Sequence, residues 1–272
     1  IDAKYFGIPQ QRKRLYVLAG GKDFSPENVL FEKHTKKLGE YPKENLVFEK
    51  EGHRFEIFRE YTDCLYAAYG TKWNGNAAAN NGSLFVVQDG RIRRLSPLEC
   101  ERLMGFDDNY TALKKSKRTE RYTAIGNAWA VPVIRWIGER INDGFKPTIL
   151  TVNQIRLNVE NYEYIDFGKG ICNYLDSVPI NCSTQPEKSV FGTMQNIISS
   201  VDVDDKLYIT PVACQGILRR GGKRVNPRLE EFLKNISETM SKEEIEIHSR
   251  KQPRGAKSGM AKLAYKMKVK NN

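Results

Sequence analysis

The chain has 272 residues, 40% of them hydrophobic and 28% charged, with 44 Lys and Arg against 33 Asp and Glu and a formal net charge of +11. That length suffices for one or two packed domains. No run approaches the ~18 to 20 apolar residues of a membrane span, and the opening IDAKYFGIPQ lacks the charged-then-apolar layout of a signal peptide, so a cytoplasmic protein with no membrane partner is expected. Cys64, Cys100, Cys172, Cys182 and Cys214 are odd in number and without C-x-x-C spacing, which points to neither a disulfide framework nor a zinc site.

In chain order, residues 1–21 read as a loop, FGIPQQRKR, followed by a strand-like run from Leu15 to Ala19 closed by Gly20 and Gly21. The chain enters directly at an Arg-rich motif with no preceding turn or cap, and a truncated N-terminus is expected. Residues 22–90 turn polar and β-like. RFEIFR from Arg54 to Arg59 partly alternates, and Ser83–Gln88 and Arg91–Leu95 flank Asp89-Gly90, a pair suited to a two-residue hairpin turn whose central positions need positive φ. Between them lies the Gly- and Asn-rich TKWNGNAAANNG, from Thr71 to Gly82; such a loop serves equally as a plain connection.

Helix signals resume at Ser96-Pro97-Leu98-Glu99, with Ser as cap, Pro in the first turn and Glu completing a capping box, and Gly105 as the stop. Leu98, Leu103 and Met104 are its expected core residues, while Arg94, Glu99 and Arg102 are spaced to hold one another or a neighbouring loop. A second helix is implied by Ala130, Val133, Ile134, Ile137 and Ile141, ending at Asn142-Asp143-Gly144. Beyond Lys146 the composition turns acidic until residue 210, which places a boundary there. Thr210-Pro211 opens a short helix, VACQGILRR, broken by Gly221-Gly222, and Asn226-Pro227 opens another, RLEEFLKNI. The basic turn between them (Arg219, Arg220, Lys223, Arg224) could straddle a phosphate backbone, or simply be the charged end of a helical hairpin. The tail from Ser249 to Asn272 carries Arg250, Lys251, Arg254, Lys257, Lys262, Lys266, Lys268 and Lys270 and no acidic residue, which suits a mobile arm attracted to phosphate or one that aids solubility.

Three segments occur in fixed order: Gln10-Gln11-Arg12-Lys13-Arg14 after Gly7-Ile8-Pro9; Arg94 to Phe106, RLSPLECERLMGF; and Tyr122 to Val133, YTAIGNAWAVPV. Together they resemble the last three motifs of the DNA (cytosine-5)-methyltransferases, Q-x-R-x-R, R-L-[ST]-x-x-E-x-x-R-L-x-G-F and G-N-x-x-x-x-P-V, over about residues 1–145. The resemblance implies an α/β fold: the C-terminal part of a Rossmann-like, S-adenosylmethionine-dependent methyltransferase domain with an inserted, mostly β target recognition domain and an α+β C-terminal extension. The corresponding segments are 1–21 (end of the catalytic domain), 22–90 (recognition), 91–146 (closing helices), 147–210 (extension), 211–248 (helical basic element) and 249–272 (tail).

Enzymes that modify a base within a duplex swing it out of the stack, at a cost of a few kcal/mol. An arginine fork suits the O2 acceptor of cytosine. By resemblance, Arg14 would contact the flipped cytosine while Gln10 and Arg12 support the pocket; on an extended segment Arg12 and Arg14 point to opposite faces. Asn127 and Ala128 would contact S-adenosylmethionine, although Trp129 departs from the small or β-branched residue usual there, and a helix cap is the alternative use of this turn. Asn74 and Asn76 are candidates to pair with adenine edges, Lys72 with guanine or phosphate, Trp73 to wedge or stack, and Arg219 and Arg220 to meet phosphate in double-stranded DNA.

The family's covalent chemistry uses a Pro-Cys loop, a Glu-Asn-Val segment and a glycine-rich cofactor loop, all of which precede Q-x-R-x-R. Cys214-Gln215-Gly216 has Ala213 in place of the proline and sits inside an expected helix, and Phe167-Gly168-Lys169-Gly170 is one residue short of F-x-G-x-G. The expectation is therefore a C-terminal portion, inactive alone, of a restriction-modification or phage enzyme whose partner is the missing N-terminal catalytic region. The segment from Tyr208 to Leu233 is loosely similar to an element of some phage and prophage cytosine methyltransferases. A DNA-binding specificity subunit that works with a separate catalytic chain is the alternative.

Overall fold

The computed structural model describes residues 1–21, 24, 29–30, 32–33, 46–70, 80–142, 165–166, 171–173, 179–181, 184–199 and 203–239. Within them the chain forms β1 (Glu32–Lys33), β2 (Leu46–Lys50), β3 (His53–Ile57), β4 (Phe85–Gln88), β5 (Arg91–Arg94), α1 (Pro97–Met104), α2 (Arg118–Asn127), α3 (Val131–Asn142), β6 (Ile165–Asp166), β7 (Ile171–Asn173), β8 (Pro179–Asn181), α4 (Met194–Ile197), α5 (Pro211–Gly221) and α6 (Pro227–Ser237). The fold is mixed α/β. Both sheets are antiparallel, in the orders β2-β3-β4-β5 and β1-β8-β7-β6. The first passes through position 90, and the second joins a strand at 32–33 to three strands beyond 164.

The first sheet is turned by two tight hairpins. Asp89 (φ 48°) and Gly90 (φ 80°) form the turn expected of an Asp-Gly pair, and Glu51 (φ 49°) and Gly52 (φ 81°) repeat it between β2 and β3. Asp89 also reaches back across the sheet: one carboxylate oxygen lies 2.7 Å from Nδ1 of His53 and the other accepts from the Arg54 amide at 3.0 Å.

Both faces of this sheet are covered, which explains why its strands do not alternate cleanly between apolar and polar. Phe55, Ile57 and Val86 pack with Leu65, Tyr69, Leu103, Met104, Tyr122 and Ile125 on one side. Phe58, Phe85, Val87 and Ile92 pack on the other with Ile217, Leu229 and Leu233 of α5 and α6. The capping box of α1 forms as its sequence dictates, with Ser96 capping the Glu99 amide and left-handed Gly105 (φ 79°) ending the helix. Leu103 and Met104 are fully buried, while Leu98 is half-buried and Cys100 takes its place in the core. In α3, Val133 and Ile137 are buried, whereas Ile141 is 45% exposed.

Glu99 does not pair with Arg94 or Arg102. Its partner is Arg93, whose cross-strand neighbour Val86 puts it on the α1 face of the sheet. Two parallel bonds of 2.8 and 2.9 Å join the guanidinium to the carboxylate, and both side chains are 0% exposed. The Arg93 Nε donates to Gln88, and the Ser96 and Ser199 amides donate to Glu99. Arg94 instead donates to the Tyr69 carbonyl and Arg102 pairs with Asp108. Residue spacing along α1 favoured the nearer pairs; strand pairing put Arg93 beside the helix.

Two expectations for the N-terminal half need correction. Leu15–Ala19 forms no strand pairing with any described residue, because a strand needs a neighbour to satisfy its backbone. Tyr16 and Leu18 pack towards α3, while Leu15 and Val17 are 91% and 80% exposed. The Gly126-Asn127 segment does precede a helix, α3, as expected, but it is also the last turn of α2, a helix not expected because its charged sequence RTERYT conceals its two buried residues, Tyr122 and Ile125.

Replacing Glu99 with Ala would leave the Arg93 charge buried without a counter-ion. A destabilisation of about 3 to 5 kcal/mol is expected, read as a lowered urea midpoint, whereas Arg102→Ala at the half-exposed Asp108 pair should cost less than about 1 kcal/mol.

Candidate active site

The site is built around one guanidinium. Gly7-Ile8-Pro9 turns the N-terminal segment so that Gln10 and Gln11 lie beside Thr62: the Gln11 amide donates to the Thr62 carbonyl and the Thr62 amide to that of Pro9. Gln10 is fully buried. Its Nε2 donates to the Leu103 carbonyl at 3.0 Å and meets Met104 Sδ at 3.1 Å, and its Oε1 accepts from the Leu65 amide at 3.0 Å. One amide thus ties the Q-x-R-x-R segment to the end of α1 and to residues 62–66.

Arg12, 3% exposed, completes the junction. Nη1 donates to the Leu65 carbonyl at 2.9 Å and to Cys64 Sγ at 3.2 Å, while Nη2 donates to the carbonyls of Gly126 (3.0 Å) and Ala128 (2.7 Å) at the end of α2. Buried Asp2 accepts from the Arg12 amide at 2.9 Å, and its other oxygen, like the Arg12 Nε, is buried without a partner. Burial pushes the Asp2 carboxyl above the usual carboxylate range.

Arg14 is exposed, yet its Nη2 donates to the same Cys64 Sγ at 3.2 Å. The two arginines therefore converge on one side of the segment rather than pointing to opposite faces. The segment is irregular, not a strand, so the two-residue alternation does not apply. Cys64 and Leu65, which receive this convergence, carry no motif signal that sequence reasoning could have used.

The end of α2 is pressed directly onto residues 66–67. A Cβ on Gly126 would sit 2.4 Å from the Ala67 nitrogen and 2.5 Å from the Tyr66 carbonyl carbon, so only glycine permits this approach. Asn127 is exposed, Ala128 is half-buried and serves as the helix C-cap, and Trp129 is 64% exposed with its ring edge-on to Tyr16. The structure thus brings Gln10, Arg12, Arg14, Asn127 and Ala128 into one neighbourhood joined through the Arg12 guanidinium.

Arg219 and Arg220 lie elsewhere, exposed in the last turn of α5. Lys72, Trp73, Asn74 and Asn76, the Phe167–Gly170 segment and the basic tail lie outside the described residues. Cys214 is fully buried inside α5, and burial pushes its thiol up to about 12, so it is an inert core thiol.

Residues 54–143, which include the Arg12 contacts at 64–65 and 126–128, match the family model for C-5 cytosine-specific DNA methylases. Over these residues the chain is similar to this family. Similar proteins include the type II methyltransferase M.Sau3AI of Staphylococcus aureus, 35% identical over 43% of this chain and 28% of the relative, and M.MspI of Moraxella sp, 30% identical over 60% of this chain and 40% of the relative. A DNA N-6-adenine-methyltransferase of Escherichia phage P1 is 38% identical over 18% of this chain and 10% of its own length. The chain spans well under half the length of each of these methyltransferases.

Arg12→Lys keeps the charge but cannot reach four acceptors; a loss of about 1 to 3 kcal/mol in unfolding free energy is expected. Gly126→Ala, which drives a methyl group into the backbone at 66–67, is expected to cost about 2 kcal/mol or more. Denaturant titration of each variant, followed by tryptophan fluorescence, checks both.

Proposed function

We propose that this chain forms the base-gripping and DNA-reading part of a DNA (cytosine-5)-methyltransferase, and that the whole protein transfers a methyl group from S-adenosylmethionine to C5 of a cytosine within a specific duplex sequence. The observation that carries this reading is the Arg12 junction. It fastens the Q-x-R-x-R segment to the Gly126-Asn127-Ala128 turn and leaves Arg14 exposed beside both.

The Gln10 amide and both terminal nitrogens of Arg12 are occupied by the protein, so the role of these residues is to hold the pocket. Arg14 retains donors for a ligand, and its fork matches the O2 acceptor of an extruded cytosine. S-adenosylmethionine supplies the methyl group when bound. Arg12 already takes the carbonyls of Gly126 and Ala128, so the residues here fit one edge of such a ligand through the exposed Asn127 amide, with Ala128 offering a small apolar surface beside it.

The nucleophile and the rest of the cofactor pocket belong, in this reading, to an α/β catalytic region that packs against the exposed Leu15, Val17 and Trp129. The run from Leu15 to Ala19 is apolar on both faces, the signature of a strand buried on both sides of a Rossmann-like sheet, and only its Tyr16 and Leu18 side is covered among the described residues. Residues 22–90, with Lys72, Trp73, Asn74 and Asn76, form the recognition domain, and Arg219 and Arg220 contact the DNA backbone. The setting is restriction-modification or phage DNA protection.

The test is methyl transfer by the complete coding unit, with the modified nucleoside identified by mass spectrometry. 5-Methylcytosine is expected; N6-methyladenine as the product would refute the reading. Arg14→Ala is expected to reduce the rate by about 10²-fold or more with no change in melting temperature, since the lost fork acts only on the extruded base.

A further inference from the structure

The basic turn between α5 and α6 is built into the same hydrogen-bonded frame as the arginine site. Asn226 caps α6 by accepting from the Arg228 and Leu229 amides, and its own amide donates to the Asn80 carbonyl at 2.7 Å. Asn80 is the residue at which the chain returns from segment 71–79. It is 8% exposed, its Oδ1 is buried without a partner, and a Cβ on Gly221 would lie 2.8 Å from that oxygen. The next residue, Asn81, donates to Asp63 Oδ2 at 2.7 Å and accepts from the Ser83 amide, while the Asp63 amide donates to Ser83 Oγ. Asp63 adjoins Cys64, on which Arg12 and Arg14 converge. A continuous line therefore runs from the first turn of α6 to Arg14.

At the near end of that line Arg219, Arg220, Lys223 and Arg224 are all exposed, and none forms a salt bridge with a carboxylate of the described residues. Partial burial, followed by the like charge of Arg219, lowers the Arg220 pKa. Four unneutralised cations on an ordered turn suit the regularly spaced negative charges of a nucleic-acid backbone.

We infer that the α5–α6 turn is a second DNA-backbone contact, made by Arg219, Arg220, Lys223 and Arg224, held in fixed register with Arg14 by Asn226, Asn80, Asn81 and Asp63. Binding of phosphates on the flank then fixes where along the duplex the base grip falls, and Asn81 is a positioning residue. This deepens the methyltransferase reading and rests on it.

The test uses the full 272-residue chain and duplexes of about 30 base pairs, the length that carries many phosphates beyond any one contact, enriched by the intact chain from a randomised pool. Replacing the four basic residues by Gln should reduce the slope of log affinity against log salt by about 2 or more, at about 0.9 per phosphate contact. It should also abolish flank protection in hydroxyl-radical footprints while the enriched motif is still preferred. Asn81→Ala should keep the salt slope and melting temperature but lower discrimination between enriched and scrambled duplexes by about tenfold or more, each tenfold being 1.4 kcal/mol. Gly221→Ala, which presses a methyl group onto Val225 and Asn80, is the second variant for this link and should act in the same direction.

An unchanged salt slope in the four-residue variant overturns the backbone contact, and unchanged discrimination in both Asn81→Ala and Gly221→Ala overturns the register. Either failure leaves the methyltransferase reading standing. Failure of the intact chain to enrich any duplex overturns the inference together with the DNA-reading role beneath it.

Discussion

A buried guanidinium with a donor for each of four acceptors holds this structure's functional region together. Arg12 is desolvated, so its charge is tolerated only because carbonyl dipoles of Leu65, Gly126 and Ala128 and the sulfur of Cys64 surround it. Those acceptors come from two stretches of chain more than 50 residues apart. They cannot satisfy the arginine unless the segment at 62–66 and the end of α2 are already in contact. Gly126 makes that contact possible by having no Cβ, and Gln10 closes the third side by reaching the end of α1. Each of these segments supplies hydrogen-bond partners that another needs.

The sheet behind this junction works in a complementary way. Its α1 face carries a buried ion pair, Arg93 with Glu99, in an otherwise apolar core, whereas its α5–α6 face is mainly apolar and carries Glu56, which pairs with Arg228 of α6. A buried pair of this kind contributes little net stability over hydrophobic residues of the same size, but it penalises strand registers that would separate the two charges. It therefore fixes how β5 meets α1, and with that the position of Leu103, whose carbonyl receives Gln10. The helical hairpin on the opposite face shields Phe58, Phe85 and Val87 and delivers Asn226 to Asn80, so the same packing that completes the core also carries a basic turn beside Asn80.

Local rules read correctly where neighbours in sequence are neighbours in space. The Ser96–Glu99 capping box, the Asp89-Gly90 turn, the Thr210-Pro211 and Asn226-Pro227 helix starts and the apolar stripe of α3 all involve residues within a few positions of each other. Reading failed where the deciding partner was distant. α2 escaped because its buried face is only Tyr122 and Ile125 and its stability comes from packing on residues 66–70. Arg93 escaped because two neighbouring arginines at 93 and 94 are equivalent until strand pairing assigns each to a side. Arg12 and Arg14 were separated by assuming an extended alternation that the irregular segment does not keep.

The sequence by itself determined which residue types were available and in what order: an arginine-rich segment, a capped helix and a Gly-Asn turn, the last two within the span that matches the C-5 cytosine-specific DNA methylase model. It also determined most helix ends and the hairpin turn, since capping and positive φ are properties of a few adjacent residues. Only the tertiary structure decided that Arg12 is the fastening and Arg14 the exposed group, that Cys64 is where they meet, and that the basic turn is tied to Asn80. The physical reason is that burial divides these roles. A guanidinium surrounded by carbonyls and one open to solvent have the same local sequence, and only the packed chain distinguishes them.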